Sequence, residues 1–158
     1  MGKGIKQAFL TKLTDVDTKD VEGVGSLRIE GSKVYKYCLI KNTTATVAGA
    51  AGSLVAYFAG TGYGTSRVVV DLTDADTIVV CAGALLATVT GTAGTSYWGW
   101  VQVAGDETLD TSVTSGAAGK MFYLTTTDKT AAVGAAYYDQ QAGVCLDGTT
   151  SVLLTCPW

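Results

Sequence analysis

The sequence predicts an all-β protein: a compact β-sandwich or barrel-like domain carrying an extended N-terminal arm. Three observations lead there. The apolar fraction is 47%, too high for a disordered chain, and it sits largely in Val, Ala and Leu among abundant Gly and Thr. That mixture suits strands and tight turns better than helices. The one proline is Pro157, so no interior segment is barred from a central strand by a missing amide. Short β-forming runs also alternate with turn signals, which is the pattern of a sandwich or barrel. At 158 residues the chain fits one domain plus an appendage.

Residues 1–32 read as the arm and 33–158 as the β-rich body. The arm holds most of the lysines and shows little period-2 patterning. Phe9, Leu10 and Leu13 are isolated apolar points, and Gly23 and Gly25 break any helix. Strand signals begin with Val34–Ile40, in which Tyr35, Tyr37 and Leu39 share one face. Further strands are expected at Leu54–Phe58, Arg67–Leu72, Thr77–Cys81, Leu85–Thr90, Met121–Thr126, Gly143–Leu146 and Val152–Cys156. The strongest is Tyr97–Val103, with Tyr97, Gly99, Val101 and Val103 on one face and Trp98, Trp100 and Gln102 on the other. A helix is possible over Ala131–Gln141, weakened by Gly134.

One regularity recurs. The pattern G-x-A-G occurs at Gly49–Gly52, Gly91–Gly94 and Gly116–Gly119, each followed shortly by an apolar or aromatic run. The physical reading is a repeated turn-then-strand unit, in which glycine supplies positive φ. The unequal spacing rules out a solenoid.

The four cysteines, Cys38, Cys81, Cys145 and Cys156, include no C-x-x-C pair, so a zinc knuckle or redox motif is not expected. A two-residue turn at Asp147-Gly148 would set Leu146 against Thr149 and Cys145 against Thr150, leaving Cys156 with no place opposite Cys145. Buried thiols acting as small hydrophobes are expected.

The net charge of −3 is unevenly spread. Residues 1–41 carry eight basic and five acidic side chains, a net +3, and the remainder carries three against nine, a net −6. A basic front and an acidic body suggest two environments, the front facing something acidic. No nucleic-acid partner is expected, because the aromatics lie away from the lysines. No membrane partner is expected either. Asn42–Ser66 is nearly uncharged but studded with Gly and Thr, and the first ten residues do not read as a secretion signal.

The chain contains no histidine, which removes the commonest general base and metal ligand. The best carboxylate group is Asp71, Asp74 and Asp76. It could hold a Ca²⁺ ion, but it lacks an EF-hand arrangement, and aspartates favour turns for reasons of their own. Asp106, Glu107 and Asp110 read the same way. Gly60–Gly64 is not followed by Lys-Ser/Thr and is not a phosphate loop. No enzyme activity and no cofactor are expected. Tyr97, Trp98 and Trp100 are candidates for core, for an oligomer interface or for a carbohydrate platform, and Trp158 for a groove or a neighbouring chain.

The stretch from Gly25 through Tyr37, the run Tyr97-Trp98-Gly99-Trp100-Val101-Gln102 and Gly119-Lys120-Met121-Phe122-Tyr123-Leu124, set in a body rich in Ala, Gly, Thr and Val, resemble the small virion proteins of tailed bacteriophages. The likeness is strongest to capsid decoration (cement) proteins. That resemblance implies a β-rich homotrimer on the outer capsid surface, made in the host cytoplasm and bridging copies of the major capsid protein. It implies an arm that attaches to the capsid, with Lys3, Lys6, Phe9, Leu10, Lys12, Leu13 and Arg28 as the contact candidates. Lys33–Ile40 would be the edge strand, open to β-augmentation. The chain is longer than the compact phage-lambda type. The alternative is a tail-fibre or carbohydrate-binding module using Trp98 and Trp100.

Overall fold

In a computed structural model of the chain we describe residues 8–43, 46–58, 66–70, 80–125, 129–133 and 141–156. Those residues form an all-β domain without helix, organised around one long strand. That strand, β9 (Tyr97–Thr108), is rich in aromatic and β-branched residues. One of its edges pairs with β3 (Lys33–Ile40), from Val34 opposite Ala104 to Ile40 opposite Tyr97. Its other edge takes three strands in succession. These are β1 (Val16–Asp17) beside Trp98 and Gly99, β7 (Cys81–Leu85) beside Val101 and Gln102, and β13 (Ser151–Thr155) beside Ala104 to Thr108.

The sheet closes on itself. From β9 the pairing runs through β7, β5 (Leu54–Tyr57) and β6 (Arg67–Val69) to β3, and β3 returns to β9. Strand direction cannot alternate perfectly around a ring with an odd number of members, so one neighbouring pair must run parallel. Here it is β3 with β6. The barrel's interior is filled by Cys38, Ile40, Val55, Tyr57, Val68, Ala82 and Val101 and their neighbours. The buried Lys36 lies on that same face, its Nζ 3.4 Å from the Tyr57 hydroxyl.

Two further layers cover the barrel wall. Beyond β13 the sheet continues through β12 (Gly143–Cys145), β10 (Met121–Leu124) and β11 (Ala131–Ala132). Phe122, Leu124, Cys145, Val152 and Leu154 from this extension pack against Leu54, Ala56, Val69, Cys81 and Ala84 on the outside of the barrel. The outer face of β3 and β9 carries Tyr35, Tyr37 and Trp100, and Phe9 and Leu13 of the N-terminal segment close over it. The alternation expected for Tyr97–Val103 is therefore real, but both of its faces are buried. Separately, β4 (Val47–Gly49) pairs with β8 (Val89–Gly91).

The G-x-A-G pattern is a structural unit. Gly52, Gly94 and Gly119 all have positive φ, at 87°, 76° and 77°. In each, the next residue donates its amide to the carbonyl three positions earlier: Ser53 to Ala50, Thr95 to Thr92 and Lys120 to Ala117. Glycine at the third position with positive φ is the signature of a type II turn. The first two copies also pair with each other, because β4 and β8 are the strands that enter them.

Several expectations are corrected. Residues 8–32 follow the helix-free course expected of an arm, but not apart from the body: β1 and β2 (Leu27–Glu30) belong to the main sheet. Lys33–Ile40 is not an edge strand, since β9 lies along one side and β2 and β6 along the other. Of the helix expected over Ala131–Gln141, Ala131 and Ala132 form the short strand β11, paired with Tyr123 and Leu124, and residues 134–140 lie outside the described residues. The strand expected at Leu85–Thr90 is broken at residues 86–88 between β7 and β8. In the last hairpin Cys145 faces Val152, and the Leu146 amide bonds to Ser151, so the loop spans residues 147–150 rather than two. The expectation that Cys156 does not oppose Cys145 still holds. All four cysteines are buried thiols.

Two predictions follow from this packing. A Cβ on Gly52 would sit 2.7 Å from the Thr108 carbonyl oxygen and 2.8 Å from the Asp110 nitrogen, whereas one on Gly94 meets nothing within 4 Å. Gly94→Ala should cost only its backbone term, about 1 kcal/mol, and Gly52→Ala at least about 2 kcal/mol, as read from urea midpoints. Equal costs would contradict the turn packing. The second concerns alkaline pH. Burial pushes the Cys38 thiol up to about 12 from 9.0, and burial also raises Tyr57 and Tyr37. The unfolded chain therefore releases these protons first. The stabilisation from Cys38 is complete below pH 9 and is lost as pH rises from 9 through 12. The urea midpoint should fall steadily above pH 9, and a level midpoint to pH 11 would refute the assignment.

Candidate interaction surface

The N-terminal segment is fastened to the barrel by a chain of polar bonds ending on one indole. Trp100 is buried between two rings, with Phe9 and Tyr37 each 5.2 Å away, centroid to centroid, in edge contact. An indole N–H taken out of water needs an acceptor, and Trp100 Nε1 donates to Thr11 Oγ1 at 2.9 Å. Thr11 in turn donates both its hydroxyl and its amide to Glu22 Oε1, at 2.7 and 2.5 Å. Tyr37 closes a second tie, its hydroxyl 3.1 Å from Asp17 Oδ2.

Arg28 of β2 completes the clasp. Its guanidinium lies over the Phe9 ring at 5.1 Å and donates to the Thr11 carbonyl at 3.2 Å. It also pairs with Glu30, at 2.5 Å from Nη2 and 2.7 Å from Nε. The other acids of the segment serve local turns. Asp15 accepts from the Lys12 amide, and Asp20 from the amides of Gly23 and Val24. The carboxylates are thus occupied with the segment's own backbone and hydroxyls, while Lys12 and Lys19 are exposed.

Between this segment and β2 lies an open groove of about 580 Å³. Phe9, Lys12 and Leu13 line it from one side, and Arg28, Ile29 and Glu30 from the other. Four of the expected arm contacts, Phe9, Lys12, Leu13 and Arg28, therefore converge on one place. Phe9 and Arg28 are also engaged in the intramolecular clasp. The side chains left free for an outside partner are Leu10, 78% exposed, and Ile29, 68% exposed. Among the described residues β2 pairs only with β3, so its outer edge borders the groove without a strand beside it. Lys3 and Lys6 lie outside the described residues.

The aromatic candidates divide. Trp100 is core. Trp98 is half-buried against the same cluster, and Tyr97 is half-buried against the barrel interior. Tyr97 depends on Gly91, where a Cβ would run into the phenol. Trp158, the Asp71, Asp74 and Asp76 group and Gly60–Gly64 lie outside the described residues. Thr11, Glu22 and Ile29 carry the surface without having been singled out in the sequence. Ile29 had a readable signal, an apolar residue between Arg28 and Glu30, while Thr11 and Glu22 had none.

A second apolar strip crosses the outer face of the C-terminal sheet. Met121, Val144 and Leu153 stand opposite one another on β10, β12 and β13, and the row ends at Asp106 on β9. Met121 is 50% exposed and Leu153 40%. Among the described residues there is no group of three or more Cys, Asp or Glu that could hold a metal, and no helix long and apolar enough to cross a membrane. Comparison with protein-family models, with curated proteins and with solved structures gives no match.

Replacing Thr11 by Val keeps the shape but leaves the Trp100 indole N–H without its acceptor. The expected cost is about 1–3 kcal/mol. Limited proteolysis should then cut within residues 8–22 before it cuts the barrel. Cleavage no faster than in the parent protein would mean that the bond does not hold the segment down.

Proposed function

We propose that this protein is a non-catalytic assembly module, a decoration (cement) protein that binds the outer surface of a tailed-bacteriophage capsid as a homotrimer. One observation carries the reading. Ile29 stands exposed in an open groove at an unpaired strand edge, and Leu10, Lys12 and Lys19 of the neighbouring segment are turned to solvent. A large apolar side chain left exposed at an open strand edge marks a surface made to be covered. An extended segment of the major capsid protein laid along β2 would gain main-chain hydrogen bonds from the edge and apolar contact from Ile29. The strip of Met121, Val144 and Leu153 is the surface for association with further copies of the chain.

The resemblance to decoration proteins supports a capsid partner, and the groove is where we propose it binds. The carbohydrate-binding alternative required an indole platform. Of the two indoles it relied on, Trp100 offers none, because its ring is enclosed and its N–H is engaged by Thr11. Trp98 is half-buried against the same cluster. Loss of glycan binding on Trp98→Ala would favour that alternative.

Purified protein mixed with undecorated heads of its phage should co-sediment with them. Ile29→Asp should weaken that binding at least tenfold while leaving the fold intact, since Ile29 projects into solvent. Light scattering should give a trimer mass that Leu153→Asp lowers to a monomer. Absence of the protein from the pelleted heads would dispose of the capsid reading, and a parent chain that is monomeric at all concentrations would dispose of the trimer.

A further inference from the structure

We propose that Cys81 and Cys156 are a cross-linking site: in the presence of a low-molecular-weight disulfide such as oxidised glutathione they join, tying the barrel to the C-terminal sheet. Their sulfurs are 3.2 Å apart although the residues are separated by 75 positions in the chain. A bonded pair sits near 2.05 Å, so closure needs about 1 Å of approach, within reach of small side-chain rotations. Backbone pairing holds each partner in place. Cys81 stands opposite Ala56 in the barrel wall, and the Cys156 amide donates to the Val103 carbonyl. Both side chains belong to the core that joins the two layers. Cys38 lies in the barrel interior instead, in a different core.

The chemistry balances with glutathione disulfide as the oxidant. The Cys156 thiolate attacks one glutathione sulfur and expels a glutathione thiolate. The Cys81 thiolate then attacks Cys156 Sγ and expels the second. Two S–H bonds are lost and one S–S bond forms. Two electrons and two protons leave on two molecules of reduced glutathione. Cys156 reacts first because it lies just past β13, and strand ends open more readily than a barrel wall. The facing Cys81 thiol and burial push the Cys156 thiol up. The closed form is therefore inert near neutral pH, and the exchange proceeds through local opening.

The test uses the full chain, incubated with oxidised glutathione at mildly alkaline pH. Intact mass should fall by about 2 Da, with no adduct retained. A non-reducing peptide map should contain one linked pair, Cys81 with Cys156. Closing a loop of this length should raise the thermal midpoint by roughly 10 °C, and dithiothreitol should reverse the rise. Cys81→Ala should instead trap glutathione on Cys156. The parent map stands by itself should that variant fail to fold. The proposal is overturned if the link joins any other pair. It is overturned equally if the parent protein keeps a glutathione adduct at Cys156 without closing. An unchanged mass under conditions where an alkylating reagent does reach Cys156 would also overturn it.

Discussion

Everything in this fold depends on the pairing of β9 along both edges. A strand has two rows of amide and carbonyl groups, and each row buried away from water must find partners. In β9 one row is matched by β3 from Tyr97 to Ala104, and the other by β1, β7 and β13 in turn. The barrel closes through it, the C-terminal sheet grows from its far half, and the N-terminal segment docks across its outer face. The strand is twelve residues long because it serves two sheets, the barrel with its first part and the extension with its last. Gly83 permits the crossing, since a Cβ there would meet the Gln102 carbonyl oxygen of β9.

A strand buried on both faces needs a cover on each side. The barrel interior covers one face, and the N-terminal segment covers the other through Phe9 and Leu13. This explains how a segment with few apolar residues is held so closely. Its attachment is mostly polar and short-range, through Thr11, Glu22, Asp17 and Arg28, with Trp100 as the anchor. Once these groups are satisfied within the chain, Leu10 and Ile29 are left facing outward. The same economy of partners gives the surface its character: acids turned to the chain's own donors, lysines and two apolar side chains turned to solvent.

The sequence discloses what is local. The alternation along Tyr97–Val103 has period 2 and survives intact. The three glycine turns are legible because positive φ is a demand on one residue, met in place. β3, β5, β10, β12 and β13 fall close to the expected runs, but β7 forms at Cys81–Leu85, where the sequence reads as a break between two strands, because β5 and β9 pair with it there. What depends on distant partners is hidden. Nothing in Lys33–Ile40 tells that its two edges are both filled, since β6 and β9 arrive from far along the chain. The Asp147-Gly148 signal placed a turn correctly but not its length, and the loop took in Thr149 and Thr150 as well. Thr11 and Glu22 are ordinary polar residues until Trp100 is brought beside them, and the approach of Cys81 to Cys156 is equally invisible in their spacing. The arm looked separate because its apolar residues are isolated. Phe9 and Leu13 are isolated because each fills one gap over an aromatic face built by distant strands, while Leu10 faces solvent.

Native-state hydrogen exchange, resolved by segment, tests this account most directly. Amides of residues 97–108 should be the last to exchange, opening only with global unfolding, and those of residues 8–22 should exchange earlier through a separate, smaller opening. Exchange of the β9 amides as fast as those of β2 or β11 would contradict the claim that β9 holds the structure together.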